Sequence, residues 1–459
     1  MPKPLLILQM QRMGDLILSF PLVLDLLKKY PNHPIWVVAE EIFFTPLTPL
    51  APPVSFFPPE ALQKIALEKF TLAINLSFRR EACAVMEKIQ AEEKFGPYLK
   101  NGNLHVNGFW HLYRQSLTQN NRHNTFHWAD LYRLDLYPNL KSYSPKYTAR
   151  SQGGEKRIAL VLGASSPDKH PKPAFWIALA RQLMQASFMP FLLGGKKEEV
   201  LGETVANAIQ VPKANLCGKL GLTALANLVK TVDLCITPDT GPMHLANWLG
   251  IPILNLSMGP VRAYETGPYS PNQTILWPNM SCAGCWQCHQ RHFACKKKFH
   301  PQAVTNIAVA ILKNQELAID PKLIAAKTCL DELGIANLEL YNHKPNAQQS
   351  IDLVWRNFFL GLINPNLLPK AKDAMQVIAQ NYPKVYEHIH QKLKTILQIT
   401  LHSLNKADKN FSLSYHSVSP SLRLWIGFLE MYLQNNNFSR ESLKKVCSWL
   451  ALSLELLTF

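Results

Sequence analysis

The chain has 459 residues, with 48 Lys and Arg against 32 Asp and Glu and a formal net charge of +16. Apolar residues make up 47%, an ordinary globular composition that excludes a wholly disordered chain. At about 150 residues per domain the length favours three domains. The excess of positive charge favours an anionic partner: a nucleic acid, a lipid surface or a phosphorylated small molecule.

The first residues, MPKPLLILQMQRMGDLIL, are interrupted by Gln9, Arg12 and Asp15. This pattern predicts a strand and the loop after it, not a secretory signal. No apolar run reaches about 18 residues, the length that a transmembrane helix needs. Nine cysteines are too few for a disulfide scaffold in a chain of this length, and we expect a cytoplasmic protein with reduced thiols.

Residues 1–150 alternate short apolar runs with amphipathic ones. Strands are predicted at Leu5–Gln9, Ile35–Ala39, Val54–Phe57 and Leu72–Leu76. Helices are predicted at Ile17–Lys29, Glu81–Glu93 and Phe126–Tyr137. A strand-then-helix rhythm favours a parallel sheet that is covered on both faces.

The polar stretch Tyr147–Glu155 is predicted to be a linker, and the rhythm restarts after it. The predicted elements are strands at Arg157–Leu162, Met189–Leu193, Asp233–Thr237 and Ile253–Leu256, and helices at Ala174–Gln185, Glu198–Ile209, Thr223–Thr231, Met243–Leu249 and Gln302–Glu316. Two successive α/β units predict paired Rossmann-like domains over residues 1–150 and 151–320, with a cleft between them. From about Lys322 helical periodicity dominates, which predicts an all-helical extension over residues 321–459.

Polar residues follow several predicted strands, at the edge where α/β proteins bind ligands. Asp15, after the first strand, is either a functional carboxylate or a helix N-cap. Ser165, Ser166 and Lys169 offer two hydroxyls and an ammonium, which suit a pyrophosphate, although a solvated polar loop is the alternative. Glu198 either accepts hydrogen bonds from ribose hydroxyls or complements a helix dipole, and Glu199 is one residue away.

A second group of polar residues lies on one strand-to-helix turn within Thr237–His244. The free N–H groups at the start of a helix, together with its dipole, favour a phosphate there. Helix capping alone explains this combination poorly, so the turn is predicted to be functional. Its candidate residues are Asp239, Thr240, Gly241 and His244.

In their order along the chain, these segments resemble those of the family 9 glycosyltransferases, the ADP-heptose:lipopolysaccharide heptosyltransferases. The matching segments are R-M-G-D at 12–15, A-S-S-P-D-K-H at 164–170, G-K-K-E at 195–198 and D-T-G-P-M-H at 239–244. The resemblance covers about residues 1–320. It implies the GT-B fold, with two facing Rossmann-like domains, the first binding the acceptor and the second the ADP-sugar donor. It also implies inverting transfer of a heptose from ADP-heptose to Kdo or heptose of the lipopolysaccharide inner core.

The resemblance also assigns roles to single residues. Asp15 matches the general base that deprotonates the acceptor hydroxyl, and Lys169 matches the lysine that neutralises the diphosphate leaving group. No cofactor is required for such catalysis. The resemblance implies that the donor is bound by Ser165, Ser166, Glu198, Asp239, Thr240, Gly241 and His244.

A cysteine cluster with C-x-x-C-x-x-C spacing, and a fourth cysteine seven positions later, offers four thiolates to Zn²⁺ or an iron centre. His289 and His292 are competing ligands, and free thiols are the alternative. The resemblance extends to a branch of autotransporter heptosyltransferases that glycosylate proteins and carry Cys-bound iron. The tentative ligands of a structural Zn or Fe are Cys282, Cys285, Cys288 and Cys295.

Residues 291–298 carry four cationic side chains and no acidic one. This segment is either a contact for a phosphorylated acceptor and the anionic inner leaflet, or a solvated basic loop. No zinc-finger, RRM or homeodomain pattern occurs, which disfavours nucleic acid. We therefore expect a cytoplasmic enzyme, peripheral to the inner membrane. The alternatives are a protein O-heptosyltransferase and a non-catalytic nucleotide-sugar-binding or scaffolding protein.

Overall fold

A computed structural model describes residues 2–137, 156–288, 293–341, 345–406 and 411–456. The strands in this part of the chain are β1 (Leu5–Leu8), β2 (Ile35–Val38), β3 (Ser55–Phe57), β4 (Lys69–Asn75), β5 (Gln90–Lys100), β6 (Asn103–Asn107), β7 (Lys156–Val161), β8 (Phe188–Leu193), β9 (Leu234–Pro238), β10 (Ile253–Leu256), β11 (Thr274–Pro278), β12 (Leu323–Leu330) and β13 (Ala336–Leu340). The helices are α1 (Met13–Leu18), α2 (Phe20–Lys29), α3 (Glu41–Leu47), α4 (Leu62–Ile65), α5 (Arg80–Lys88), α6 (Phe109–Ser116), α7 (Trp128–Leu131), α8 (Pro173–Gln185), α9 (Glu199–Ala208), α10 (Leu222–Val229), α11 (Gly241–Trp248), α12 (Ala263–Thr266), α13 (Pro301–Lys313), α14 (Ala347–Gly361), α15 (Leu368–Asn381), α16 (Pro383–Lys406), α17 (Pro420–Asn435) and α18 (Arg440–Glu455).

The chain divides into two compact units, each built from two stretches of sequence. The first unit comprises Met1–Leu99 and His127–His343, and the second comprises Lys100–Phe126 and Lys344–Phe459. The predicted linker Tyr147–Glu155 lies outside the described residues. The division into three consecutive domains therefore stays a prediction. The C-terminal helices belong to the same compact unit as residues 100–126, from the first third of the chain.

The first sheet of the first unit runs parallel in the order β3-β2-β1-β4-β5. Its central strand β1 is wholly apolar and buried along its length. Because side chains alternate across a strand, Leu5 and Ile7 enter one hydrophobic core and Leu6 and Leu8 enter the core on the opposite face. This arrangement confirms the prediction of a parallel sheet covered on both faces.

The second sheet of the same unit has the order β13-β12-β11-β10-β9-β7-β8. Strands β8, β7, β9, β10 and β11 are parallel to one another, and β12 and β13 add an antiparallel hairpin next to β11 at one edge. Helices such as α8 and α13 cover this sheet through a core that contains Trp176, Leu179 and Ile307. The first unit thus contains two doubly wound α/β halves, as the sequence predicts.

The hairpin formed by β12 and β13 corrects the prediction that residues 321–459 are entirely helical. Residues 323–330 pair with β11, with Ala325 opposite Leu276, and the C-terminal helices begin only at Ala347. The buried run Leu323–Ala326 is apolar at every position, so its periodicity does not distinguish a strand from a helix. Two helices predicted earlier in the chain are also shorter than expected, since Glu81–Glu93 contains the start of β5 and Phe126–Tyr137 forms only α7.

The second unit is mostly helical and has an aromatic core of its own. The Tyr113 ring lies edge-on to Phe359, with 4.6 Å between the ring centroids, and Phe109 lies 5.1 Å from Phe428. A buried hydrogen bond joins Nδ1 of His123 to the Asp352 carboxylate at 2.7 Å. Among the described helices, none is both long and apolar enough to cross a bilayer.

Candidate functional site

The starts of helices α1 and α11 touch in the first unit, and a glycine on each side permits the contact. A Cβ atom at Gly14 would lie 2.8 Å from Cδ2 of His244, and one at Gly241 would lie 2.5 Å from Cε of Met13. Both distances are shorter than carbon atoms tolerate. The R-M-G-D and D-T-G-P-M-H segments, more than 200 residues apart in the chain, therefore meet at one place.

A cavity of about 350 Å³ opens at this contact, which is within the size range of small-molecule sites. It brings together most of the predicted catalytic and donor-binding residues. Its lining comprises Arg12, Gly14, Asp15, Leu18, Trp128, Ser165, Lys169, Asp239, Thr240, Gly241, His244, Pro260, Val261, Glu265, Thr266 and Trp286.

Asp239 is the centre of the polar contacts in the cavity. The Lys169 ammonium donates to its Oδ2 at 3.3 Å, and the Thr266 hydroxyl donates to the same oxygen at 3.2 Å. Nε2 of His244 lies 3.6 Å from Oδ1. Burial by itself raises the pKa of Asp239, but the contacts with His244 and Lys169 outweigh it and hold the pKa below its ordinary value. Asp239 is therefore an anion that orients a lysine and a histidine at the cavity wall.

Asp15 is the third residue of α1, and its carboxylate caps the helix. The backbone N–H of Arg12 donates to Oδ2 of Asp15 at 3.2 Å. Asp15 also lines the cavity and is only partly buried. The alternative that Asp15 is the N-cap is wrong, because Arg12 holds that position; from the third helical position the Asp15 carboxylate accepts from the N-cap backbone and still lines the cavity.

The first turn of α11 has few N–H groups left for an anion. Pro242 has none, and the N–H groups of Met243 and His244 both donate to the Thr240 carbonyl. The anion-binding capacity of this turn therefore rests on Thr240 and Gly241, both of which line the cavity.

Two predicted donor-binding residues are not part of the cavity lining. The Ser166 hydroxyl accepts a hydrogen bond from the Asp168 N–H at 3.4 Å and caps the turn Pro167–Lys169. Oε2 of Glu198 accepts from the Gly195 N–H at 2.8 Å at the start of the next helical turn. Their donor-binding roles stay predictions, and the structure shows capping roles for both.

The sequence interpretation missed several residues of the cavity: Trp128, Pro260, Val261, Glu265, Thr266 and Trp286. A signal for some of them was present, because residues 260–266 follow β10 and the carboxyl ends of parallel strands gather at one edge of the sheet. Trp128 and Trp286 carry no such signal, since only the tertiary fold brings their segments to the cavity.

The cysteine cluster lies on the segment that carries Trp286. Burial raises the pKa of Cys285 to about 11, and the neighbouring Cys288, Cys282 and Cys295 thiols add to the shift. In the part of the chain that the structure describes, no three His, Cys, Asp or Glu side chains are grouped to hold a metal ion. His289 and His292 lie outside that part. The donor chemistry fits a thiophilic metal but the described arrangement does not assemble a ligand set, so the metal stays a prediction.

The comparisons with known proteins agree with one another, since all of them find similarity to heptosyltransferases. Residues 111–294 match the sequence model of glycosyltransferase family 9 (heptosyltransferase). Lipooligosaccharide heptosyltransferase 2 of Campylobacter jejuni serotype O:2 is 27% identical over 173 residues, which are 36% of this chain and 54% of the relative. Lipopolysaccharide heptosyltransferase 1 of Pseudomonas aeruginosa is 28% identical over 142 residues, 30% of this chain and 38% of the relative. The chain thus spans about half the length, or less, of these curated relatives.

The solved structures give the fold. The ADP-heptose lipopolysaccharide heptosyltransferase II of Escherichia coli superposes with a TM-score of 0.50 at 18% identity, over 68% of this chain and 99% of the other. This similarity confirms the predicted GT-B-like α/β fold, with helices added at the C-terminal end. Together with the family match over residues 111–294 and the curated relatives, it makes the chain similar to the heptosyltransferases of glycosyltransferase family 9.

Proposed function

We propose that this protein is an inverting glycosyltransferase that transfers a heptose from ADP-heptose to Kdo or heptose of the lipopolysaccharide inner core. One observation carries the proposal: a carboxylate from the first α/β half, Asp15, shares a cavity with Lys169 and Asp239 from the second half. The names of the curated relatives, lipooligosaccharide and lipopolysaccharide heptosyltransferases, support the substrate class.

The reaction is a displacement at the anomeric carbon of the donor sugar. The acceptor oxygen forms the new bond to that carbon while the bond from the carbon to the β-phosphate oxygen breaks. Asp15 takes the proton of the acceptor hydroxyl, and ADP leaves with the electron pair. Attack from the face opposite the leaving group inverts the anomeric configuration.

The departing diphosphate gains negative charge, and groups on the cavity wall can stabilise that charge. The Lys169 ammonium keeps donor capacity beyond its contact with Asp239, because an ammonium has three N–H bonds. The first turn of α11 adds the Thr240 and Gly241 amides and the positive end of the helix dipole. These groups are fixed before the substrate arrives, so little reorganisation accompanies charge development.

The substitution Asp15→Ala tests the assignment of the base. We expect the Kd for ADP-heptose to stay within about twofold of wild type, while kcat falls by about a hundredfold or more, since a general base contributes about 10²–10⁴-fold. Glu41→Gln, an exposed carboxylate at the start of α3, is the control and should keep full activity. Single-turnover transfer by Asp15→Ala at most of the wild-type rate would exclude this role.

The acceptor is tested by ADP release with Kdo-lipid A compared with a protein acceptor. Release with Kdo-lipid A supports the proposal, and release with protein alone would instead support a protein O-heptosyltransferase, to which a metal bound by the cysteine cluster would also point. Binding of ADP-heptose with no release to any acceptor would favour a non-catalytic nucleotide-sugar-binding protein.

We also propose a cytoplasmic location with peripheral contact at the inner membrane. The net charge of +16 and the basic turn Ala294–Lys298 support contact with an anionic lipid surface. Flotation with anionic vesicles should recover the protein at low salt and lose it at high salt, because screening weakens such contacts. Equal recovery with neutral vesicles would count against a charge-driven contact.

A further inference from the structure

Trp286 is an exposed aromatic side chain of the first unit. Its side chain is 44% exposed, whereas Trp176 of the same unit is fully buried. Trp286 also lines the cavity that holds Asp15 and Lys169. An exposed indole at a ligand cavity offers a flat apolar face and one N–H donor, a combination that suits an amphipathic ligand.

Glu265 lies on the wall of the same cavity and is only 5% exposed. Carboxylates are seldom buried to this degree, because loss of hydration is costly. A carboxylate has about four acceptor positions, and hydroxyl groups are among the donors that suit them.

The turn that carries Glu265 is held firmly on several sides. The Thr266 hydroxyl donates to Asp239, and the Gly267 carbonyl lies 3.0 Å from Nε2 of His127. A Cβ atom at Gly284 would lie 3.1 Å from Cβ of Arg262, so the cysteine segment packs directly on the turn. Gly284 itself has φ +73°, a conformation that favours glycine. The segment bearing Trp286 and the turn bearing Glu265 are therefore neighbouring parts of one wall.

We infer that Trp286 and Glu265 form a subsite for the ring of a sugar substrate, with the indole against the C–H face of the ring and the carboxylate accepting hydrogen bonds from its hydroxyl groups. Sugars present both kinds of surface at once, which distinguishes them from the diphosphate that Lys169 and the α11 turn attract. The inference rests on the proposed function, and it extends that function to the recognition of the sugar itself. The ring belongs either to the acceptor or to the heptose of the donor.

Substitutions at the two positions separate sugar recognition from nucleotide recognition. The variants are Trp286→Ala and Glu265→Gln, with Trp286→Phe to preserve an aromatic face. The control is Gln287→Ala, an exposed neighbour outside the cavity lining. Calorimetry gives the Kd for ADP, which carries no transferred sugar, and steady-state assays give KM for ADP-heptose and for Kdo-lipid A.

We expect the Kd for ADP to stay within about twofold of wild type in all variants. Trp286→Ala and Glu265→Gln should raise either the KM for ADP-heptose or the KM for Kdo-lipid A by about tenfold. A rise for Kdo-lipid A assigns the ring to the acceptor, and a rise for ADP-heptose assigns it to the donor. Trp286→Phe should recover most of the loss. Unchanged KM values for both substrates, or an equal weakening of ADP itself, would overturn the inference. Failure of the proposed function looks different, because the unsubstituted protein would then release no ADP with Kdo-lipid A.

Discussion

Gly14 shows how one missing side chain sets the distance between the two α/β halves of the first unit. A Cβ atom at Gly14 would lie 2.8 Å from Cδ2 of the His244 ring, whereas one at Gly241 would meet only Cε at the flexible end of Met13. His244 in turn contacts Asp239, so the space left by the glycine allows the His244 ring to lie next to Asp239.

Gly14→Ala should therefore impair catalysis more than folding. The added methyl group pushes the His244 ring away from Asp239, and we expect kcat/KM to fall by about tenfold or more, because displacements of about 1 Å in a site have such effects. Gly221→Ala is the matched control, since a Cβ there meets nothing within 4 Å. Equal kcat/KM values for the two variants would show that the close approach is not needed.

His127 is a buried neutral histidine whose two ring nitrogens have defined partners. Nε2 donates to the Gly267 carbonyl at 3.0 Å, and Nδ1 accepts from the Ala129 N–H at 3.2 Å. Burial lowers the pKa of His127 to about 4, and the Gly267 contact offsets this only in part. Between the unfolded pKa of about 6.5 and the folded value, the unfolded chain therefore binds a proton that the folded chain does not.

The contribution of His127 to stability is complete above about pH 6.5 and is lost as the pH falls towards 4. Between pH 7.5 and pH 5 we expect a loss of about 2 kcal/mol in the free energy of unfolding from this group. Denaturant titrations of wild type and His127→Gln measure it: the variant is less stable at pH 7.5 but has a shallower loss on acidification. The exposed His300→Gln variant should keep the wild-type slope, and an unchanged slope in His127→Gln would refute the assignment.

At the residue scale, sequence reasoning found those side chains that belong to short motifs after strands. Asp15, Lys169 and Asp239 were predicted in this way, and all three line the cavity. Trp286 was missed because its cysteine motif points to a metal and only tertiary packing brings it to the cavity, whereas Glu265 follows β10 and its position was a signal that went unused. The roles of Ser166 and Glu198 could not be separated from capping, because both residue types suit the start of a helical turn.

At the scale of elements, the short turn Ala294–Lys298 supports the loop that carries Lys169. Nζ of Lys296 donates to the Pro167 carbonyl at 2.6 Å, and burial lowers the pKa of Lys296. The Gly259 N–H contacts the Cys295 thiol, and a Cβ at Gly259 would lie 2.5 Å from the Asp168 carbonyl oxygen. The end of the cysteine segment and the loop that carries Lys169 are thus packed as one layer.

Lys296→Met should loosen this layer without removing a group that contacts substrate. We expect KM for ADP-heptose to rise by about threefold to tenfold with kcat within about twofold, as for a positioning residue that acts on binding. Lys297→Met is the control, because Lys297 is exposed on the same turn and the substitution removes the same charge. Lys296→Arg should restore part of the affinity that Lys296→Met loses. Equal rises in KM for Lys296→Met and Lys297→Met would show that only the lost positive charge matters, and that Lys296 does not position the loop.

Prediction of elements succeeded where a strand and a helix alternate and failed where periodicity is ambiguous. β1, β7, β9 and β10 lie where the apolar runs place them. β12 was missed because Leu323–Ala326 is apolar throughout, and because its pairing with β11 joins residues nearly 50 apart in the chain. Strand pairing of this kind depends on partners that a local pattern does not contain.

At the scale of the whole molecule, the chain does not divide at one point into a core and an extension. Residues 100–126 belong to the same compact unit as the C-terminal helices. Trp110 and Tyr113 of α6 are almost completely buried, and rings of α14 and α17 pack against Tyr113. A sequence pattern reveals helices but not which distant segment they will pack against.

Removal of residues 344–459 should therefore not release a well-folded remainder. Phe109 and Tyr113 would lose the contacts with Phe359 and Phe428 and would expose a large aromatic surface, which favours aggregation. We expect the truncated chain to be recovered mainly as aggregates on size-exclusion chromatography. In the full chain, Phe359→Ala should lower stability by about 3–5 kcal/mol through loss of buried contacts, whereas Ile399→Ala, at an exposed site of α16, should have little effect. A monomeric truncated chain with unchanged ADP affinity would show that residues 100–126 do not need the C-terminal helices.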